Sequence, residues 1–173
     1  MSEERKAKAA ARRAARKEKK ITSGFIGFGI APRINAAGRM SDAIIAVNLL
    51  LANDPVVAKR YAEELCSINR QRQLEENRIA NEAYTMIDSL GDLNDNPVIV
   101  LESNEWQQGI IGIVSSKITE KYGLPSILVS FDGNGNEITD EDVGKGSGRS
   151  VKGMNLVEAM NSCSDLLEKY GGH

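Results

Sequence analysis

An α/β domain preceded by a long connector helix is the fold predicted for this chain, and three stretches predict it. "PVIVLES" (97–103) and "SILVSFDGNGN" (126–136) are short apolar runs of strand length, the second leading into turn residues. Between them, "GIIGIVSSKITEKYG" (109–123) has helical spacing, with Gly123 and Pro125 marking its end. Strand, helix and strand within about 35 residues form a βαβ unit, so the two strands should run parallel through a right-handed crossover. "VGKGSGRS" (143–150) reads as a further strand or strand end. "NLVEAMNSCSDLLEKYGG" (155–172) reads as a last helix, with Asn155 and Glu158 as a capping pair and Gly171-Gly172 as the stop.

The N-terminal half is helical by pattern. Residues 1–20, "MSEERKAKAAARRAARKEKK", have high helix propensity but no Leu, Ile, Val or Phe to pack. They read as a solvated helix or disordered tail, the sharper alternative being an arm that touches nucleic acid. "ITSGFIGFGI" (21–30) alternates Gly with bulky apolar residues, a loop or strand entering the fold. In "PRINAAGRMSDAIIAVNLLLAN" (32–53), Met40, Ile44, Val47 and Leu51 fall at helical spacing, which predicts one buried helix. Asp54 as cap and Pro55 in the first turn then start a helix running to about Leu90, with Gly91 as its stop. At about 1.5 Å per residue it is on the order of 50 Å long. Its apolar stripe comprises Val57, Tyr61, Leu65 and Ile68, then Ile79, Ala83, Met86 and Leu90. The polar middle, "NRQRQLEENR", reads as a connector crossing between two bodies. The division expected is a basic tail (1–21), a remnant segment (22–53), the connector (54–95) and an α/β domain (96–173). The abrupt ends lead us to expect truncation on both sides.

Composition narrows the function. Apolar residues make up 41% of 173, enough for a core, yet the longest apolar runs are about five or six residues, far short of a bilayer span. The charged start lacks an apolar segment and is no secretory signal. A cytoplasmic protein with no membrane partner is expected, with Cys66 and Cys163 as reduced core residues. The net charge of −2 conceals an asymmetry: residues 1–20 carry nine Lys/Arg and three Glu, residues 21–173 carry 13 Lys/Arg and 21 Asp/Glu. Any anion bound by the acidic body must be held locally.

The chain has one histidine, His173, and no cysteine pair at ligand spacing, which excludes most self-contained catalytic constellations. "TDEDV" (139–143) reads as solvated carboxylates more readily than as a metal site. Three anion-holding elements remain. "PRINAAGR" offers Arg33, Asn35 and Arg39 around small residues that open a helix. "GKGSGRS" offers Lys145, Ser147, Arg149 and Ser150, and terminal "GGH" presents His173. Each has a plain alternative: a helix-packing segment with surface arginines, a flexible loop, and a helix cap. "EWQQG" likewise reads as a core tryptophan at a strand end or as a site wall.

Taken in order, "GFGIAPRINAAGRM", "LLLANDP", "LCSINRQRQ", "ESNEWQQGIIGIVSSKI", "GKGSGRS" and "GGH" resemble the central and C-terminal part of the RecJ-type single-strand-specific DNA exonucleases, of the DHH phosphoesterase superfamily. The part from about residue 96 resembles the DHHA1 domain. The resemblance implies a two-lobed enzyme in which a DHH lobe binds Mn²⁺ or Mg²⁺ and activates a water, while the DHHA1 lobe grips the end of single-stranded DNA. Carried over, it implies that Arg39, Ser147 and Arg149 line a pocket for the 5′-terminal phosphate, with Arg33, Asn35, Lys145, Ser150 and His173 as further contributors. It implies no catalytic residue and no metal ligand in this chain, because the aspartates and histidines of a DHH lobe are absent from these residues. The missing lobe becomes the expected partner, and self-association through uncovered apolar faces the alternative. The oligonucleotide-binding fold that follows "GGH" in the family is also absent. Gln107 stands where the family usually has His, which leaves that position's role open. Two other readings are a stand-alone phosphate- or nucleotide-binding module, and a phosphodiesterase of the same superfamily acting on short oligonucleotides or cyclic dinucleotides.

Overall fold

The computed structural model describes residues 21–93, 97–131, 139 and 142–172. The basic tail and His173 lie outside them. A π-helical run, Phe25–Ile30, opens the described chain, where a loop or strand was expected. Thr22 starts it by accepting a bond from Phe25 N through its hydroxyl at 3.1 Å. Helix α1 (Ala31–Met40) and helix α2 (Ile44–Leu51) replace the single predicted helix. The break has a local cause: Ser41 leaves the helical conformation, at φ −154° and ψ −141°, and Asp42 accepts from Ile44 N at 2.8 Å at the start of the new helix. Nor is this segment buried, since Ile44, Val47, Leu50 and Leu51 are all exposed.

Helix α3 (Pro55–Ser89) is the connector, with Asp54 accepting from Val56 N at 2.8 Å and Pro55 at its first turn. Its buried residues are Leu65, Ile68, Asn69, Glu76, Ile79, Ala80, Ala83 and Ile87, a single stripe that does not stop in the middle. The polar middle of the connector is thus partly buried. Asn69, Arg72 and Glu76 continue the stripe as a polar patch: Arg72 bonds Asn69 and pairs with Glu76, and Lys117 of the next helix reaches Glu76 at 2.5 Å. The patch separates a small cluster (Ala37, Ala46, Leu65) from the main core. Cys66 is exposed rather than in the core, because it lies off this stripe, and Cys163 is half-buried.

Strand β1 (Ile99–Ser103), helix α4 (Gln108–Tyr122) and strand β2 (Ser126–Ser130) follow as expected, with β1 and β2 parallel. Gly123 ends α4 at φ 69°, the left-handed conformation that favours glycine. Strand β3 (Lys145–Arg149) pairs antiparallel with β2, giving the order β1-β2-β3. Helix α4 packs on β2 and β3, and α3 packs on α4. The core between them is Ile79, Ala83 and Ile87 from α3, Ile99 and Leu101 from β1, Leu128 from β2, and Ile110, Ile111, Val114 and Ile118 from α4. Trp106 is buried there, its indole N–H donating to Glu82 at 3.1 Å. The last helix, α5 (Leu156–Asn161), keeps the predicted Asn155 cap but stops early, in a 3₁₀ turn at Ser164–Leu166. None of its residues is buried, so no packing holds the chain helical past the helix-poor "NSCS" segment.

Candidate functional site

In-register pairing decides where the β3 side chains point. Arg149 stands opposite Ser126, Ser147 opposite Leu128, and Lys145 opposite Ser130. Ser126, Leu128 and Ser130 are buried under α4, so Ser147 and Arg149 share the α4 side of the sheet. Helix α4 is clamped to β2 by hydroxyls: Ser115 Oγ lies 2.8 Å and Thr119 Oγ1 2.9 Å from Ser126 Oγ. The neighbouring face of α4, next to β3, carries Gly112 and Ser116.

Gly112 makes the closeness possible. A Cβ there would lie 2.8 Å from Ser147 Oγ and 3.2 Å from Arg149 Nη2. Arg149 Nε donates to Ser116 Oγ at 2.8 Å and Nη1 donates to Gly148 O at 2.7 Å. Nη1 also reaches Ser147 Oγ at 3.5 Å, and among the described residues no hydrogen bond from Nη2 is seen.

One turn earlier on the same helix, α1 arrives. Arg39 Nη1 donates to Gly109 O at 2.8 Å, and a Cβ at Gly109 would overlap the Arg39 carbonyl, whose carbon would be 3.0 Å away. The two glycines are three residues apart and so share one helix face. Arg39, 70 residues before Gly109, thus reaches the helix that also carries Ser147 and Arg149. Both glycines lie in the first turns of α4, where the helix dipole adds partial positive charge. Arg39 at Gly109, and Ser147 with Arg149 at Gly112, thus flank the first turns of one helix, and cations, a hydroxyl and a helix start suit an oxyanion.

Of the remaining candidates, Lys145 shares the sheet face of Ser147 and Arg149, and the others lie elsewhere. Arg33 is turned toward α3, its Nε 3.3 Å from Cys66 Sγ and its Nη1 on Gly29 O. Asn35 is exposed on α1, and Lys145 is exposed at the start of β3. Ser150 donates to Met154 O at 2.6 Å and so closes the turn after β3. His173 lies outside the described residues. Gln107 is half-buried as the N-cap of α4, its carbonyl accepting from Ile110 N at 2.9 Å. Of the acidic loop, Asp142 has its pKa lowered, first by the hydrogen bond from Thr139 N and then by that from its hydroxyl. Among the described residues no group of three or more His, Cys, Asp and Glu could hold a metal ion, and no helix is long and apolar enough to cross a membrane. Sequence reasoning missed Gly109, Gly112 and Ser116. Their i, i+3, i+7 spacing in "QGIIGIVSS" was the available signal, since small residues on one helix face invite close approach.

The DHHA1 domain family matches residues 95–173. The chain is 36% identical, over 148 residues, to the single-stranded-DNA-specific exonuclease RecJ of Bacillus subtilis, and 33% identical, over 164 residues, to that of Escherichia coli. The chain resembles the RecJ-type exonucleases, with the DHHA1 match over its C-terminal part. These alignments take in 86% and 91% of it, but the chain spans only 18% and 27% of the two relatives' lengths. A crystal structure of RecJ from Thermus thermophilus in complex with Mg²⁺ superposes with a TM-score of 0.72 at 36% identity, covering 86% of this chain and 21% of that one. A manganese-bound exonuclease RecJ gives 0.71, also at 36% identity, covering 88% and 35%. Those two crystal structures hold the metals; the described part of this chain offers no group of three or more His, Cys, Asp and Glu for one.

Proposed function

We propose that the chain is the substrate-gripping part of a 5′→3′ single-stranded DNA exonuclease, holding the strand's 5′-terminal phosphate opposite a metal-bearing lobe supplied by other polypeptide. The observation that carries the reading is the convergence of Arg39, Ser147 and Arg149 on the Gly109–Gly112 face of α4. A terminal phosphate carries a second negative charge that an internal phosphodiester lacks, and two guanidinium groups with a hydroxyl match it. Lys145 and Asn35 add donors at the margins, with His173 beyond the described residues. Arg33 and Ser150 contribute by holding α1 and the turn after β3. Mn²⁺ or Mg²⁺ serves the complete enzyme, a cytoplasmic hydrolase suited to DNA repair and recombination. In that enzyme the residues of this chain bind and orient the strand and perform no bond-breaking step.

Incubating the chain with single-stranded DNA and Mn²⁺ checks this division of labour. Tighter binding of 5′-phosphorylated than of 5′-hydroxyl strands, with no degradation, is the expected result. Strand degradation that persists through purification would contradict it.

A further inference from the structure

We infer that Ser116 is a positioning residue that sets the orientation of the Arg149 guanidinium, and through it the preference for a strand end bearing a phosphate. The inference rests on the 5′-phosphate reading and adds a residue that touches no substrate. Arg149 is exposed at the end of an edge strand in which two of five residues are glycine. A free arginine there would sample many rotamers, and ordering it on binding would cost affinity. Three bonds oppose this. Two come from its own strand, Nη1 to Gly148 O at 2.7 Å and, at the long limit, to Ser147 Oγ at 3.5 Å. The third comes from α4, Nε to Ser116 Oγ at 2.8 Å.

The acceptor is itself fixed. Ser116 Oγ donates its one proton to Gly112 O at 3.1 Å, which leaves only lone pairs for Arg149. Nε tied to α4 and Nη1 to β3 together favour one orientation of the planar fork. Nη2 is held over the bare Cα of Gly112, beside Ser147 Oγ. Ser116 and Gly112 therefore act as a pair: the hydroxyl aims the fork and the missing side chain leaves room for what it would hold.

Ser116→Ala removes the acceptor at a helical position where alanine has the higher helix propensity, so the fold is not endangered. Ser116→Thr restores a hydroxyl able to bond the carbonyl four residues back. The readouts are fluorescence polarisation of 5′-phosphorylated and 5′-hydroxyl single strands of one sequence, and the Arg149 Nε–H resonance of the DNA-free chain, assigned through Arg149→Ala. Ser116→Ala should cut the preference for the phosphorylated strand by about 3- to 10-fold, leave 5′-hydroxyl binding and the melting temperature unchanged, and broaden the resonance by solvent exchange. Ser116→Thr should restore both. A preference and a resonance that survive Ser116→Ala, while Arg149→Ala abolishes the preference, would overturn the role of Ser116 and leave the end-binding reading standing. A preference that is absent from the wild type, or indifferent to Arg149→Ala, would remove that reading and this inference with it.

Discussion

Replacing Gly112 by alanine puts a Cβ 2.8 Å from Ser147 Oγ and 3.2 Å from Arg149 Nη2, two flexible side-chain ends that can move aside. Alanine gains up to about 1 kcal/mol of helix propensity over glycine. Gly112→Ala should therefore fold with equal or higher stability while losing anion binding, and thermal melting paired with a phosphate titration checks the split. Gly109 differs, because there the obstacle is the Arg39 backbone. Gly109→Ala should cost about 1–3 kcal/mol by overpacking, seen in denaturant melts, with α1 displaced from α4. Of the candidate site, "GKGSGRS" and Arg39 were legible in the sequence because cations, hydroxyls and glycines advertise oxyanion chemistry. The helix face that receives them was not, because a glycine's contribution is the side chain it lacks. Arg33 was grouped with Arg39 by proximity in sequence, yet the six-residue spacing turns the two toward different helices.

At the scale of elements, the βαβ unit was legible because strand lengths, helical period and glycine stops agreed, and α3 because Asp54-Pro55 and Gly91 bracket two apolar stripes with no glycine or proline between them. What periodicity could not show is that charged residues continue the α3 stripe. Arg72 and Glu76 keep only 13% and 10% of their side chains exposed, and Lys117 keeps 38%. Glu76→Gln leaves two cations facing a neutral group. It should cost about 2–4 kcal/mol, less than a fully buried pair because Lys117 is partly solvated. Urea unfolding of the chain measures this, and a Lys117→Met, Glu76→Gln double variant should recover part of the loss. The breaks at Ser41 and after Asn161 escaped the sequence for a related reason. Each is decided by a local polar bond or by missing cover, and apolar spacing reports neither.

Over the whole molecule, apolar side chains crowd the N-terminal segment: Phe28 is 89%, Leu50 72% and Val56 76% exposed, with Ile44, Val47 and Leu51 beside them. Apolar surface of this extent is usually covered by another body. We expect the isolated chain to self-associate through it. Sedimentation should then depend on concentration, and Leu50→Lys with Leu51→Lys should shift the population toward monomer. A wild-type chain that stays monomeric at high concentration would contradict this. The central claim is that Arg149 reads the phosphate at a strand's end. Its most direct test is the affinity of the wild type and of Arg149→Ala for 5′-phosphorylated and 5′-hydroxyl single strands. A charge-assisted hydrogen bond contributes about 1.5–3 kcal/mol, so Arg149→Ala should weaken the phosphorylated strand roughly 10- to 150-fold and leave the hydroxyl strand nearly unchanged. Equal losses for the two strands would mean that Arg149 grips the backbone generally or holds β3 together, and recognition of the end would fail.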